Sequence, residues 1–426
     1  MSKLKTYKFS QLYSMSSGIS SKPEQAGHGK PFLSFSTVFN NYFLPDSLND
    51  LMDTSEIEQE TYSILKGDIF LTRTSEVIDE LGMSSVALKD YPKAAYSGFL
   101  KRLRPTQTDV TYHKYMAFYL RSKLFRKTMT NNAVLTLRAS LNENIFSYLD
   151  LILPEYNQQV KIGDLLYLIN SKIELNNRIN AELESLAKTI YDYWFVQFDF
   201  PFDFAQGKPS ADGKPYKSSG GEMVYVKGGG DRAIPAGWEV ISINEIATLS
   251  NDSINPMIFP NKIFKYYSIP VFDELKTYSL EEGENIRSNK FTVTGNDVVI
   301  SKLNPWFNRV IYPLSEDDMI CSTEFVIWRT SNKLIKNFLY SIATSQPFIS
   351  FCTQLASGTS NSHKRISPNN MMKYKIIFNE ELANLFGEKV NPIIKLRMQN
   401  QKQNQQLTQL RDWLLPMLMN GQVSIK

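Results

Sequence analysis

The chain has 426 residues, of which 42% are apolar and 21% charged, with a formal net charge of +4. That composition excludes a disordered or fibrous chain, and the length suffices for two or three globular domains. Cys321 and Cys352 are too few for a disulfide framework, and no apolar run approaches the ~18 residues of a membrane span. Met1 to Ser10 also lack the apolar core of a signal peptide, so a cytoplasmic protein with no membrane partner is expected.

Charge is unevenly spread. Residues 89–138 hold eleven Lys/Arg against Asp90 and Asp109, whereas residues 46–80 hold ten acids against Lys66 and Arg73. Such asymmetry points to a surface facing a polyanion and another turned elsewhere; the plain alternative for either run is a solvated face.

Residues 1–150 read as a first globular domain. Its strand-like pieces are Phe32-Leu33-Ser34-Phe35 and Ile69-Phe70-Leu71, with a helical stretch near Tyr112 to Phe125. A helical spacer occupies 151–198, with Pro154 suited to its first turn. Residues 199–235 form a Gly/Pro-rich linker whose density of turn formers cannot sustain a helix. A second globular domain covers 236–378. A second helical spacer covers 379–420, with Asn379 as its cap and Pro392 expected to kink or delay it.

The two spacers are copies, 224 positions apart. Ile162, Ile169, Asn176, Leu183 and Ile190 stand seven apart and are answered by Phe386, Ile393, Asn400, Leu407 and Leu414. A second set, Leu165, Lys172, Ile179 and Leu186, is answered by Lys389, Leu396, Gln403 and Leu410, and Gly163 by Gly387. Heptad helices with apolar seams must bury them, and each copy offers the other a matching seam. The expected fold is α+β: two domains of mixed α/β structure held by two long helices in an antiparallel coiled coil, a pseudo-two-fold duplication. Asn176 and Asn400, each at the middle of its seam, are expected to face each other and set the register. Landmarks also repeat between the globular domains: Lys66-Gly67-Asp68-Ile69-Phe70-Leu71 matches Gly295-Asn296-Asp297-Val298-Val299-Ile300, and Val38-Phe39 matches Val271-Phe272. Elsewhere the two share little sequence.

Duplex DNA is itself pseudo-two-fold symmetric, and a rod between two base-reading modules is a ruler for a split site. The 28-residue heptad stretch is about 42 Å long, on the order of 12 base pairs. Unlike modules on a like scaffold would read an asymmetric, two-part sequence.

The central residues carry a family resemblance. Ile173-Glu174-Leu175-Asn176-Asn177-Arg178-Ile179-Asn180 and Leu183-Glu184-Ser185-Leu186-Ala187 resemble the middle of specificity subunits of type I restriction–modification systems. So do Tyr193-Trp194-Phe195, the run from Gly213 to Gly221, and Ile234-Pro235-Ala236-Gly237-Trp238. The likeness extends over essentially the whole chain, with 173–240 its specific part. Pro392 and the Gln-rich run from Gln399 to Gln406 depart from the regularity of the first helix. The resemblance implies a non-catalytic subunit with two target-recognition domains, each reading half of a bipartite sequence in double-stranded DNA. The helices would space them and dock two methyltransferase subunits, which bind S-adenosylmethionine and methylate adenine at N6. Two restriction/translocase subunits complete the assembly, with ATP and Mg2+ on the partners and no cofactor on this chain.

A search for a catalytic centre agrees. Asn304-Pro305-Trp306-Phe307 lacks the second proline of an amino-methyltransferase motif, and no Gly-rich cofactor loop follows a strand upstream of it. Glu274-Leu275-Lys276 has no acidic partner motif of nuclease type, and Gly228-Gly229-Gly230 lacks the Lys-Ser/Thr of a phosphate loop. His28, His113 and His363 do not stand at metal-ligand spacing.

Candidate DNA contacts follow the repeated landmark strands: Arg73, Thr74 and Ser75 in the first domain, Lys302 and Asn304 in the second. Arg and Lys reach guanine edges or phosphates, and Asn pairs with adenine; the plain alternative at each is a loop cap or ion pair. The run Ser357, Gly358, Thr359, Ser360, Asn361, Ser362, His363, Lys364, Arg365 is rich in small donors and ends in two bases. Arg126, Lys127, Thr130, Asn131, Asn132 and Arg138 hold the corresponding place in the first domain. A coiled-coil protein–protein adaptor without DNA specificity is the rival class, separated by whether DNA binding falls steeply with salt. A self-contained nuclease or methyltransferase would have to modify DNA as the purified chain alone.

Overall fold

The computed structural model describes residues 4–20, 22–75, 81–132, 134–135, 139–140, 148–225, 232–358 and 363–425. It comprises two compact units, Met1–Ile173 with Gln406–Lys426, and Glu174–Gln405.

The first unit contains β1 (Lys5–Lys8), β2 (Tyr13–Ser17), β3 (Ile69–Thr72), β4 (Thr74–Ser75), β5 (Ser84–Val86) and β6 (Leu100–Pro105). They are followed by α1 (His113–Tyr119), α2 (Lys123–Asn132), β7 (Val134–Leu135), β8 (Ala139–Ser140), β9 (Asp150–Leu153) and the start of α3 (Tyr156–Tyr191). Four strands form an antiparallel sheet in the order β2-β6-β3-β5. β3 is buried along its whole length, which its unbroken apolar run permits. Alternation sends Ile69 and Leu71 into the core that α1 covers, while Phe70 enters a second core with Leu33, Tyr91 and Tyr96.

The second unit contains β10 (Glu239–Ser242), β11 (Thr248–Ser250), β12 (Asp297–Ser301), β13 (Val310–Ile311) and β14 (Phe325–Arg329). After them come α4 (Lys333–Ala343), α5 (Gln346–Leu355), β15 (Lys375–Phe378) and α6 (Glu380–Met419). Its central sheet, β11-β14-β12-β13, has the connectivity of the first unit's, and β10 pairs β15 as β1 pairs β9. Val298 and Ile300 face one core and Val299 the other, as in β3. The duplication goes deeper than the shared sequence landmarks. In each unit a further strand ends beside a parallel partner (Leu33 with Tyr96, Tyr267 with Cys321) and then enters a short helix, Phe35–Asn40 or Ile269–Leu275.

The Gly-Asp and Asn-Asp landmarks have one explanation. Asp68 is 1% exposed and receives both Nε (2.7 Å) and Nη2 (2.6 Å) of Arg104, which lies on β6. Asp297 is fully buried and receives Nε (2.7 Å) and Nη2 (3.0 Å) of Arg329 on the matching strand β14. Each carboxylate also accepts a backbone N–H from three residues upstream, Leu65 or Thr294, closing the turn into the strand. A buried carboxylate is tolerable only when so paired.

Of the Gly/Pro-rich linker, residues 199–225 and 232–235 are not extended chain. Pro201–Asp203 pairs with Lys208–Pro209 and Lys214–Pro215, and Met223–Val224 pairs with Ile234–Pro235. Gly207 and Gly213 close the turns between the first three of these strands, and Phe200 stacks on Tyr216 at 4.7 Å within a cluster that includes Phe198 and Trp238. A Cβ at Gly213 would lie 2.3 Å from the Phe202 backbone, so glycine is required there.

The repeated glycines of the long helices are contact points. A Cβ at Gly163 would lie 2.6 Å from the Tyr115 nitrogen on α1, and one at Gly387 would lie 2.4 Å from the Leu334 oxygen on α4. Each long helix thus meets the first helix after its unit's sheet backbone to backbone. Asn379 does cap α6, its Oδ1 accepting the Leu382 N–H at 2.9 Å, and the helix continues through Pro392 without delay.

Helix pairing within Glu174–Gln405 is antiparallel. Asn176 Nδ2 donates to Gln403 Oε1 and Asn404 Oδ1, both at 2.8 Å, and Asn404 Nδ2 donates to Asn177 at 2.8 Å. Asn400 Nδ2 donates to Asn180 Oδ1 at 3.0 Å, and Arg397 pairs with Glu184 at 2.7 Å. Partner numbers fall as the others rise. Asn176 and Asn400 therefore do not meet each other, contrary to the midpoint expectation. The reason is geometric: reversing one of two identical heptad helices sets the first seam position of one against the second seam position of the other. That second position is one residue later than expected, Leu166, Ile173, Asn180 and Ala187, while Lys172 and Leu186 are exposed. In the first unit, Leu414, Leu415, Leu418 and Met419 join the core containing Ile162 and Leu166.

A double-mutant cycle on Asn180→Ala and Asn400→Ala should give a coupling of about 0.5–1.5 kcal/mol in denaturant unfolding. The Asn176/Asn400 cycle should stay within about 0.5 kcal/mol of additivity. Gly387→Ala should destabilise by about 1–3 kcal/mol through backbone overlap, even though alanine favours helix; an unchanged melting temperature would refute the close contact.

Candidate nucleic-acid interface

The two candidate segments of the second unit, far apart in sequence, come together at the end of β12. Ile366 N–H donates to the Lys302 carbonyl (3.1 Å), Asn304 N–H to the Lys364 carbonyl (2.8 Å), and Leu303 bridges Arg365. Ser357 and Arg365 exchange backbone hydrogen bonds of 3.0 and 2.8 Å, closing the loop on itself. The chain enters this loop from α5. A buried strand thus ends in a polar platform whose second half is the loop after the second helix.

The first unit repeats the arrangement. Arg73 N–H donates to the Phe99 carbonyl (2.9 Å), and β4 pairs with β8, Thr74 against Ser140 and Ser75 against Ala139. β8 also pairs with β7, which follows α2. Arg73, Lys127 and Asn131 are exposed. Arg138, Thr359, Ser360, Asn361 and Ser362 lie outside the described residues, as do the side chains of Thr74, Ser75, Thr130 and Asn132.

Several candidates have internal partners. Arg365 is held by both Glu324 oxygens, at 2.9 and 3.4 Å, so its charge is already met. Asn304 is left-handed, with φ 48°, and its Oδ1 accepts the Lys364 N–H at 3.1 Å. It clamps the turn, which is the loop-cap alternative. Arg126 donates to the Leu81 carbonyl. Lys302 and Lys364 are half-buried and form no ion pair among the described residues, so their ammonium groups are the cations left to meet phosphate.

The basic run 89–138 is largely structural. Lys101 donates to Ser17 Oγ (2.7 Å), Arg102 to the Ser63 carbonyl (2.6 Å), Arg104 pairs with Asp68, and Lys114 pairs with Asp164 (2.8 Å). Arg121 donates to the carbonyls of Ser84, Val38, Phe39 and Asn41, and burial lowers its pKa to about 10. Lys89, Lys93, Lys123 and Lys127 remain exposed. Counting charge along the chain could not separate these roles, because most of the partners lie on elements distant in sequence. Among the described residues no three His, Cys, Asp or Glu side chains converge as a metal site, and no helix is long and apolar enough to cross a membrane.

The chain resembles known proteins over most of its length. Residues 7–185 match the family described as the type I restriction modification DNA specificity domain. The chain is 24% identical over 337 residues to the specificity subunit of the type I restriction enzyme HindI of Haemophilus influenzae, covering 65% of this chain and 70% of that one. It is 23% identical over 381 residues to the specificity subunit of the type I restriction enzyme MjaIX of Methanocaldococcus jannaschii, covering 85% and 78%. Its fold is that of the type I restriction–modification S subunit from M. genitalium, with a TM-score of 0.61 at 13% identity over 98% of this chain and 96% of the other. The chain is thus similar in sequence to specificity subunits of type I restriction–modification systems and shares the fold of one of them.

Replacing Lys302 and Lys364 together by alanine should weaken DNA binding across sequences and reduce the slope of log K against log salt by about 2. An unchanged slope would show that neither ammonium meets a phosphate.

Proposed function

We propose that this chain reads an asymmetric bipartite sequence in double-stranded DNA, one half with each unit. The observation that carries this is the duplicated platform. The same strand end and the same loop-after-helix recur on the same sheet, yet one is made from Arg73, Thr74, Ser75 and the residues after α2, the other from Lys302, Asn304, Ser357 and Lys364. A like scaffold with unlike side chains suits a target whose halves differ, since base edges in the major groove are distinguished by donor and acceptor pattern.

In this reading the chain directs chemistry rather than performing it. Two methyltransferase subunits, holding S-adenosylmethionine, methylate adenine at N6. Two restriction/translocase subunits supply cleavage with ATP and Mg2+. The exposed faces of the long helices, which carry Leu168, Leu186, Leu396, Leu410 and Trp413, offer apolar surface for such subunits and favour protein docking as a second task of the same chain.

Methylation mapping of a host genome with the chain present and absent, alongside its methyltransferase partner, should reveal one split motif that requires this chain. Arg73→Ala should relax one half of that motif, by about 1–3 kcal/mol of discrimination if the guanidinium reads a base, and leave the other half intact. Methylation with no preferred sequence, or a motif in a single block, would overturn the proposal.

A further inference from the structure

The sequence Asn304-Pro305-Trp306-Phe307 carries no methyltransferase chemistry, but the structure gives it a definite form. Pro305–Phe307 is a single short turn bounded by Asn304 and Asn308, both left-handed at φ 48°. Asparagine accepts that conformation more readily than other side-chain-bearing residues. The turn is held on both sides: Asn304 is clamped to Lys364, and the buried Pro305 sits with Ile349 and Cys352 of α5 around a small cleft. What it presents outward is apolar. Trp306 is 38% exposed and Phe307 57%, with ring centroids 5.9 Å apart. Phe307 is already covered on one face by the Arg309 guanidinium at 4.5 Å, which is itself held by Asp273. The indole of Trp306 is the larger ring, and among the described residues no cation is stacked on it.

The turn follows Lys302 by three residues and is tied to Lys364 through Asn304, so it presents an exposed tryptophan on the same platform as those two lysines. In the major groove the thymine 5-methyl is the apolar feature of a base-pair edge, and an apolar side chain gains there only against it. At 38% exposed, the indole keeps more than half of its surface against the protein, and a contact along a base edge asks less of it than insertion between bases.

We propose that Trp306 is a specificity residue of the second unit, packing on a thymine methyl and so selecting an A·T pair at one position of that unit's half-site. This rests on the DNA-reading role proposed for the two units. Lys302 and Lys364 meet flanking phosphates and set the depth at which the turn enters the groove.

The test uses the complete complex with its methyltransferase partner, carrying the wild-type chain, Trp306→Ala or Trp306→Phe. Methylation mapping should show that Trp306→Ala loses discrimination at one A·T pair of one half-site, with the other half-site unchanged, and that Trp306→Phe keeps partial discrimination. On a defined duplex, replacing the thymine at that position by deoxyuridine should weaken wild-type binding about fourfold, the worth of one buried methyl, and leave Trp306→Ala binding unaffected. Three results overturn the proposal: an unchanged motif in Trp306→Ala, a half-site without an A·T pair, or an equal deoxyuridine effect with and without the indole. A Trp306→Ala chain that melts normally but no longer assembles with the methyltransferase would also overturn it, marking the ring as a protein contact. A wild-type complex with no split motif would instead refute the DNA-reading role itself.

Discussion

The helix pairing turns on four asparagines. Asn176 and Asn180 on one long helix, and Asn400 and Asn404 on the other, stand in the same heptad places of the two copies. Reversal of one helix makes Asn176 answer Asn404 and Asn180 answer Asn400. Each pair is then the symmetry mate of the other. A leucine seam would tolerate slippage by a heptad with little penalty, whereas sliding these amides would leave buried donors and acceptors unpaired at about 1–3 kcal/mol each. Even here one atom is orphaned, the Asn176 Oδ1, so the layer favours register at some expense of stability.

A second constraint works within each unit. The buried Asp68–Arg104 and Asp297–Arg329 pairs tie the start of the central strand to its neighbour, while the far end of that strand emerges into the platform. The strand is therefore fixed at its base and polar at its tip. Loops at such a tip can change residues without disturbing the sheet, because the sheet's register is set at the other end. That separation lets the two tips differ in side chains while the two sheets keep one topology.

Much of this was legible in the chain. The heptads and the landmark strands follow from short-range spacing, and the 224-residue repeat from laying one set against the other; the heptads fit either helix direction, and the linker between them favours the antiparallel one. Other features were not. The seam's second stripe was read one residue early, since Leu165 and Leu166 are both apolar and spacings of three and four alternate in any heptad. The basic run 89–138 looked like a DNA-facing surface, yet Arg121 serves four backbone carbonyls and Arg104 a buried aspartate. Arg365 looked like a phosphate contact and is engaged by Glu324. In each case the missing information was a partner on another element. The exposure of Trp306 is likewise a tertiary fact, since the residues flanking a turn do not say which of its rings faces outward.

By itself, then, the sequence determined that two halves are copies, that their helices must pair, and which family the centre of the chain resembles. Periodicity and local motif are properties of neighbouring residues, and neighbours are what a sequence records. Tertiary structure alone decided which asparagine faces which, which cations are already spent on carbonyls and carboxylates, and which side chains meet at the strand tips. Those outcomes depend on residues 60 to more than 200 positions apart, such as Asn304 with Lys364 and Asn176 with Asn404, and only chain folding brings them within hydrogen-bond distance.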